Sequence, residues 1–139
     1  MKRKFLHLLV FGVSLLDGNA AVHAAPVLAG HSSLAGQALD GDAVRAVLLG
    51  KKIALGGTRV VIVVARAGEA QNAFLQSHAG MTTSQFLNYW RRLFMTGGGS
   101  APRIVETEAD AHKLAAEIPG AIVILDSGNV AGLTALAPN

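Results

Sequence analysis

Arg66-Ala67-Gly68-Glu69-Ala70 is the stretch whose residue types best suit binding chemistry. An arginine fork beside the backbone N–H groups of a helix start can hold a small anion such as phosphate. The stretch joins an apolar run, residues 59–65, to a pattern that reads as a helix from Ala70 to His78. Gly68, Glu69 and Ala70 therefore fall where the anion would be held, with Arg66 beside them. Glu69 opposes this, because its charge sits where the anion would sit. In the other reading Glu69 only favours the helix dipole, and Arg66 is solvated or ion-paired.

The remaining reactive types lack the spacing that chemistry needs. Gly50-Lys51-Lys52 is not a phosphate-binding loop: Arg45 stands in place of the first glycine and Lys52 in place of the magnesium-binding Ser or Thr. Gly97 to Gly99 neither follow a strand nor open a helix, so they are no dinucleotide fingerprint. His31, His78 and His112 have no carboxylate at metal-ligand spacing. Ser32, Ser33 and Ser100 lack a nucleophile-elbow context. The chain reads as a non-enzyme that needs no cofactor or metal.

The elements that must position the 66–70 turn are legible as alternating strands and helices, which argues for an α/β domain. Pro26 to Gly30 reads as a strand, and residues 32–38 as a loop. Asp40 or Asp42 can cap a helix through Leu49, stopped by Gly50. Gly56-Gly57 is a turn, and RVVIVVA, residues 59–65, is one continuous strand of the kind covered on both faces. Thr82 and Gln85 form a possible capping box for the next helix. In that helix Phe86, Leu87, Tyr89, Trp90, Leu93 and Phe94 make one broad apolar face, with Trp90 and Phe94 expected in the core. Thr107 caps a short helix marked by Ala111, Leu114, Ala115 and Ile118 and ended by Pro119-Gly120. AIVIL, residues 121–125, is a second buried strand, and a short strand lies near residues 133–136.

Length and composition bound the function. The 139 residues fit one domain, and a chain that is 51% hydrophobic and 15% charged is not disordered. Residues 1–24 read as a signal peptide: Lys2, Arg3 and Lys4, then an apolar run from Phe5 to Leu16, then Val22-His23-Ala24 before the cut. Cleavage takes away three basic residues and Asp17, so the net charge falls from +3 to +1. The basic balance thus belongs largely to the export signal. Arg91 and Arg92 make no stripe for nucleic acid, and no later apolar run anchors the chain in a membrane. Without cysteine there are no disulfides and no thiol chemistry. The expectation is a periplasmic protein whose mature lobe spans residues 25–139.

The same residues resemble a known family. LLGKK (48–52), Gly57 before a strand, the Arg66 turn, Phe74-Leu75, Tyr89-Trp90, Phe94 with TGGG (96–99), Pro102 and PGAIVI (119–124) occur in the order of the phosphate ABC-transporter substrate-binding proteins. These are the PstS-like branch of the type 2 periplasmic binding proteins, and the resemblance covers roughly residues 26–126. It implies a single lobe of that fold, a mixed sheet flanked by helices. It implies phosphate or another small anion as ligand and a transporter or sensor membrane protein as partner. Arg66 matches the family's phosphate-holding arginine; Gly68, Glu69, Ala70 and Gln71 stand in place of its Ser-Gly-Thr turn. The expected function is weak anion or partner binding in phosphate uptake or sensing. The alternative is a structural or protein-interaction module that has lost the phosphate site.

Overall fold

The structure, a computed structural model, describes residues 25–97 and 100–138. The proposed signal segment lies outside the described residues, as do Gly98 and Gly99 of the glycine loop. In chain order the elements are β1 (Pro26–Gly30), α1 (Gly41–Leu48), β2 (Ala54–Leu55), β3 (Thr58–Arg59), β4 (Val61–Ala65) and α2 (Glu69–Ala79). There follow α3 (Thr83–Met95), β5 (Arg103–Val105), α4 (Glu108–Glu117), β6 (Ala121–Asp126) and β7 (Thr134–Pro138).

Five strands form one mixed sheet in the order β5-β4-β6-β1-β7. β4 runs parallel to β5 and β6, whereas β1 is antiparallel to both β6 and β7. Alternation along the strands sorts the side chains onto two faces. Ile62, Val64, Ile122 and Ile124 face one layer, packed by Val47 and Leu48 of α1, Phe74 and Leu75 of α2, and Phe86 and Trp90 of α3. Val63, Ala65, Val123 and Leu125 face the other, where Ala111 and Ala115 bring α4 down onto the sheet. Both faces are covered, which is why β4 and residues 121–125 of β6 are apolar at every position. The chain is thus an α/β domain with a mixed sheet flanked by helices.

Local signals set the helix ends as expected. Asp40 accepts from the Ala43 N–H at 2.8 Å and caps α1. Thr82 and Gln85 make a reciprocal capping box on α3, and Thr107 accepts from the Asp110 N–H of α4. Gly80 ends α2 in the left-handed conformation at φ 66.

Tyr89 and Trp90 do more than fill space. The Trp90 Nε1–H donates to the Leu48 carbonyl at 3.0 Å, and the Tyr89 hydroxyl to the Leu49 carbonyl at 2.6 Å. These are carbonyls at the C-terminal end of α1, where no intrahelical partner is available. The Tyr-Trp pair closes that helix end while its rings pack edge to face, 5.9 Å apart.

Two expectations are corrected, and one strand is added. The run 59–65 is not one strand: Val60 breaks it, donating its N–H to the Ile53 carbonyl at 2.9 Å. Thr58 and Arg59 belong instead to a hairpin with β2, whose Gly56-Gly57 turn has φ 53 and 82. Strand β5 has no counterpart in the sequence pattern. Its three residues are too short for a periodic pattern, and two of them, Arg103 and Ile104, are exposed. Phe94 is not core: it is 56% exposed, whereas Trp90 is 6% exposed. A helix turns about 100° per residue, so positions 86, 90 and 94 drift about 80° around its axis. The buried stripe therefore leaves the sheet before Phe94.

Candidate functional site

The 66–70 turn is held by a buried side chain that sequence reasoning missed. Gln71, 1% exposed, accepts from the Ala65 N–H at 2.9 Å and donates to the Ala65 carbonyl at 2.7 Å. This carboxamide fastens the end of β4 to the first turn of α2. A second Gln71 contact, to Thr83 Oγ1 at 3.3 Å, ties in α3. Nothing local marks Gln71, because a glutamine early in a helix normally faces water.

From the carboxyl end of β4 the chain leaves toward the α2 face, and from that of β5 toward the α4 face. In open α/β sheets, diverging exits of this kind mark where a crevice for ligands can form. The Arg66 N–H donates to the Val105 carbonyl at 2.8 Å and draws the two exits together. Arg66, Gly68, Glu69 and Ala70 lie between the end of β4 and the first turn of α2.

At this turn the protein's own carboxylates take the place an anion would need. Arg66 Nε donates to Glu106 Oε1 at 2.9 Å, with the two side chains 59% and 74% exposed. Water screens such a pair, which contributes at most about 1 kcal/mol. Gly68 is the N-cap of α2 and offers no side-chain cap. Against it lies Glu108, from α4: a Cβ on Gly68 would meet Glu108 Oε1 at 2.6 Å. A carboxylate thus sits at the helix start, but it is Glu108 that fills the space over Gly68, while Glu69 points into water. Glu106 and Glu108 are site residues that sequence reasoning missed. The acidic run after β5 was their only signal.

Glu108 is uncomfortable where it lies. Its Oε1 is buried with no hydrogen-bond partner among the described residues. Burial pushes its carboxyl above the usual glutamate range, and the charges of Asp126 and Glu69 push the same way; the nearby Gln71 backbone N–H, too poorly placed to make a full hydrogen bond, opposes them. The folded chain therefore holds this proton to higher pH than the unfolded chain does. Stability from the protonated group is fully present below the unfolded value and is lost as pH rises through the raised folded value. Glu108→Gln is expected to be more stable than wild type at neutral pH by about 0.5 kcal/mol, a small gain because the carboxyl is only half-buried. Urea unfolding across pH measures it: the two proteins converge as pH falls below about 4, the ordinary glutamate range, where the group is protonated in both folded and unfolded chains. A wild type that gains on the variant as pH rises would contradict this.

No family model matches the chain, and no curated protein matches it at a significant level. Among the described residues no group of three or more His, Asp or Glu is placed to hold a metal ion, and no helix is long and apolar enough to cross a membrane. Arg91 and Arg92 are both exposed; Arg91 donates to Asn88 Oδ1 at 3.0 Å along its own helix.

Proposed function

We propose that this chain is an exported single lobe of the type 2 periplasmic-binding-protein kind, PstS-like in its motif order. In this reading it serves phosphate uptake or sensing in the periplasm by docking to a transporter or sensor membrane protein rather than by carrying phosphate. The motif order from LLGKK to PGAIVI supports the family, and the mixed sheet with helices on both faces agrees with it. One observation carries the preference for docking: the Glu108 carboxylate packed against Gly68 at the start of α2. A phosphate entering there must displace that carboxylate and compete with Glu106 for Arg66. Each like charge about 4 Å away costs it roughly 1–4 kcal/mol, depending on how much water remains.

Weak anion capture at the same turn is the second reading. It is favoured by the largely exposed Arg66, whose guanidinium is able to grip an anion. Calorimetry with inorganic phosphate separates the two. Wild type is expected to bind no tighter than about 1 mM, equivalent to about 4 kcal/mol. Glu108→Gln is expected to tighten binding by up to about tenfold, and Arg66→Ala to abolish it. Micromolar binding by the wild type would overturn the docking reading.

A further inference from the structure

We propose that the groove between α3 and the β5 edge of the sheet docks an acidic protein segment bearing large apolar side chains. The proposal rests on the docking reading above for its occupant being a protein, and it concerns a surface that adjoins the 66–70 turn, with Arg66 at the border of the two.

Two hollows meet at this edge, sharing Trp90, Ala101 and Pro102, so they form one continuous groove. Its apolar contribution is unusual for a small soluble lobe. Ile53, Phe94 and Ile104 line it and are 60%, 56% and 46% exposed. Single exposed apolar residues are ordinary, but several gathered around one concavity, Ile53 in one hollow and Phe94 with Ile104 in the other, mark a binding site. Its charge is one-sided. Lys52, Arg59 and Arg103 line one hollow, Arg66 and Arg91 the other, and no carboxylate lines either. Among the described residues the one ion pair is Arg66 with Glu106, so the other four cations have no carboxylate partner.

The distribution matters more than the total. The chain after residue 24 has a net charge near +1, yet five of its cations surround this groove. Glu69, Glu106, Glu108 and Asp126 gather instead at the carboxyl ends of the strands. An occupant that satisfies the groove therefore carries negative charge at its margins and apolar side chains toward its floor. A membrane surface fits less well, because the apolar residues line a concavity rather than the outward stripe of an interfacial helix. Strand addition is also disfavoured: β5 has three residues, and Pro102 before it has no N–H to offer. The segment engages through side chains in the groove.

The test is fluorescence anisotropy of the purified protein with a short labelled peptide alternating Glu or Asp with Leu or Phe. Binding in the range of about 10–100 μM is expected, weakening as salt rises. The double variant Arg91→Glu/Arg103→Glu is expected to bind about tenfold or more weakly, and Phe94→Ser about tenfold more weakly. Lys113→Glu, an exposed change on α4, is expected to leave binding unchanged. All these positions are exposed, so thermal midpoints should stay near wild type; if the double variant unfolds, Phe94→Ser alone decides. Equal binding of a peptide with its apolar residues replaced by Ser, or with its acids replaced by Lys, overturns the proposal. So does tighter, Arg103-dependent binding of phosphatidylglycerol vesicles or of a single-stranded oligonucleotide. A dimer in sedimentation that dissolves with Arg103→Glu would assign the groove to a second copy and overturn it likewise. Phosphate affinity plays no part in these outcomes, so this proposal and the phosphate reading fail separately.

Discussion

Trp90→Ala is expected to lose about 3–5 kcal/mol of stability, a large share of the roughly 5–15 kcal/mol typical of a domain this size. Three losses combine. The indole is 6% exposed, so its removal opens a cavity between α3 and the sheet. The Leu48 carbonyl loses its 3.0 Å donor at the end of α1. Gly50, at φ 75, loses its cover: a Cβ there would meet the indole at 2.6 Å, so the ring and the glycine are fitted to each other. Tyr89→Phe removes only the hydroxyl bond to Leu49 and should cost about 1 kcal/mol. Arg91→Ala, on the exposed side of the same helix, should cost no more than about 0.5 kcal/mol. Urea unfolding of the three variants gives the ranking. A Trp90 fluorescence that is solvent-like and readily quenched in the native protein would contradict the premise.

Gly120→Ala is the second large effect, expected to cost at least about 3 kcal/mol and to lower soluble yield. The residue has φ +79, where an alanine is strained by about 1 kcal/mol. The greater cost is steric: a Cβ would lie 2.0 Å from the Arg59 carbonyl oxygen and 3.3 Å from Thr58 Cγ2. Backbone cannot swing aside as a flexible side chain can. The local bonds would go too, since the Gly120 carbonyl accepts from the Val61 N–H and its N–H donates to Ser33 Oγ, both at 2.9 Å. These bonds set where β4 and β6 begin. Gly80→Ala is the control. Its φ of +66 is similarly strained, but nothing lies within 4 Å of the added carbon, so about 1 kcal/mol is expected. Equal losses at the two sites would show that close packing at Gly120 does not matter.

What the sequence made legible was local. Thr82 with Gln85, Asp40 and Thr107 announce helix starts because a cap is made within four residues. The central strands announce themselves because both faces of the sheet are covered. What stayed hidden depends on neighbours distant in the chain. Nothing near Arg66 indicates Glu106, 40 positions on, and nothing near Gly68 indicates Glu108. Gln71 reads as a surface residue until the end of β4 is placed beside it. Phe94 shares an apolar pattern with Trp90, yet the pattern cannot say where the sheet stops beneath the helix. β5 shows the same limit from the other side, since three residues at an edge carry too little pattern to read.

The place of β1 in the sheet constrains the order in which the molecule can be completed. β1 leads the described residues, yet its only neighbours are β6 and β7, the last two strands; Pro26 finds its register partner in Asp126. A ribosome adding about 5–20 residues per second delivers those neighbours last. Until they emerge, β1 has no edge to join, and the centre of the sheet stays open. The emerging chain is thereby kept from closing early, and pairing between its two ends is slow because so long a loop must be gathered in. Trimming β7 from the chain should accordingly strip β1 of one side and leave a product that collapses without a finished sheet.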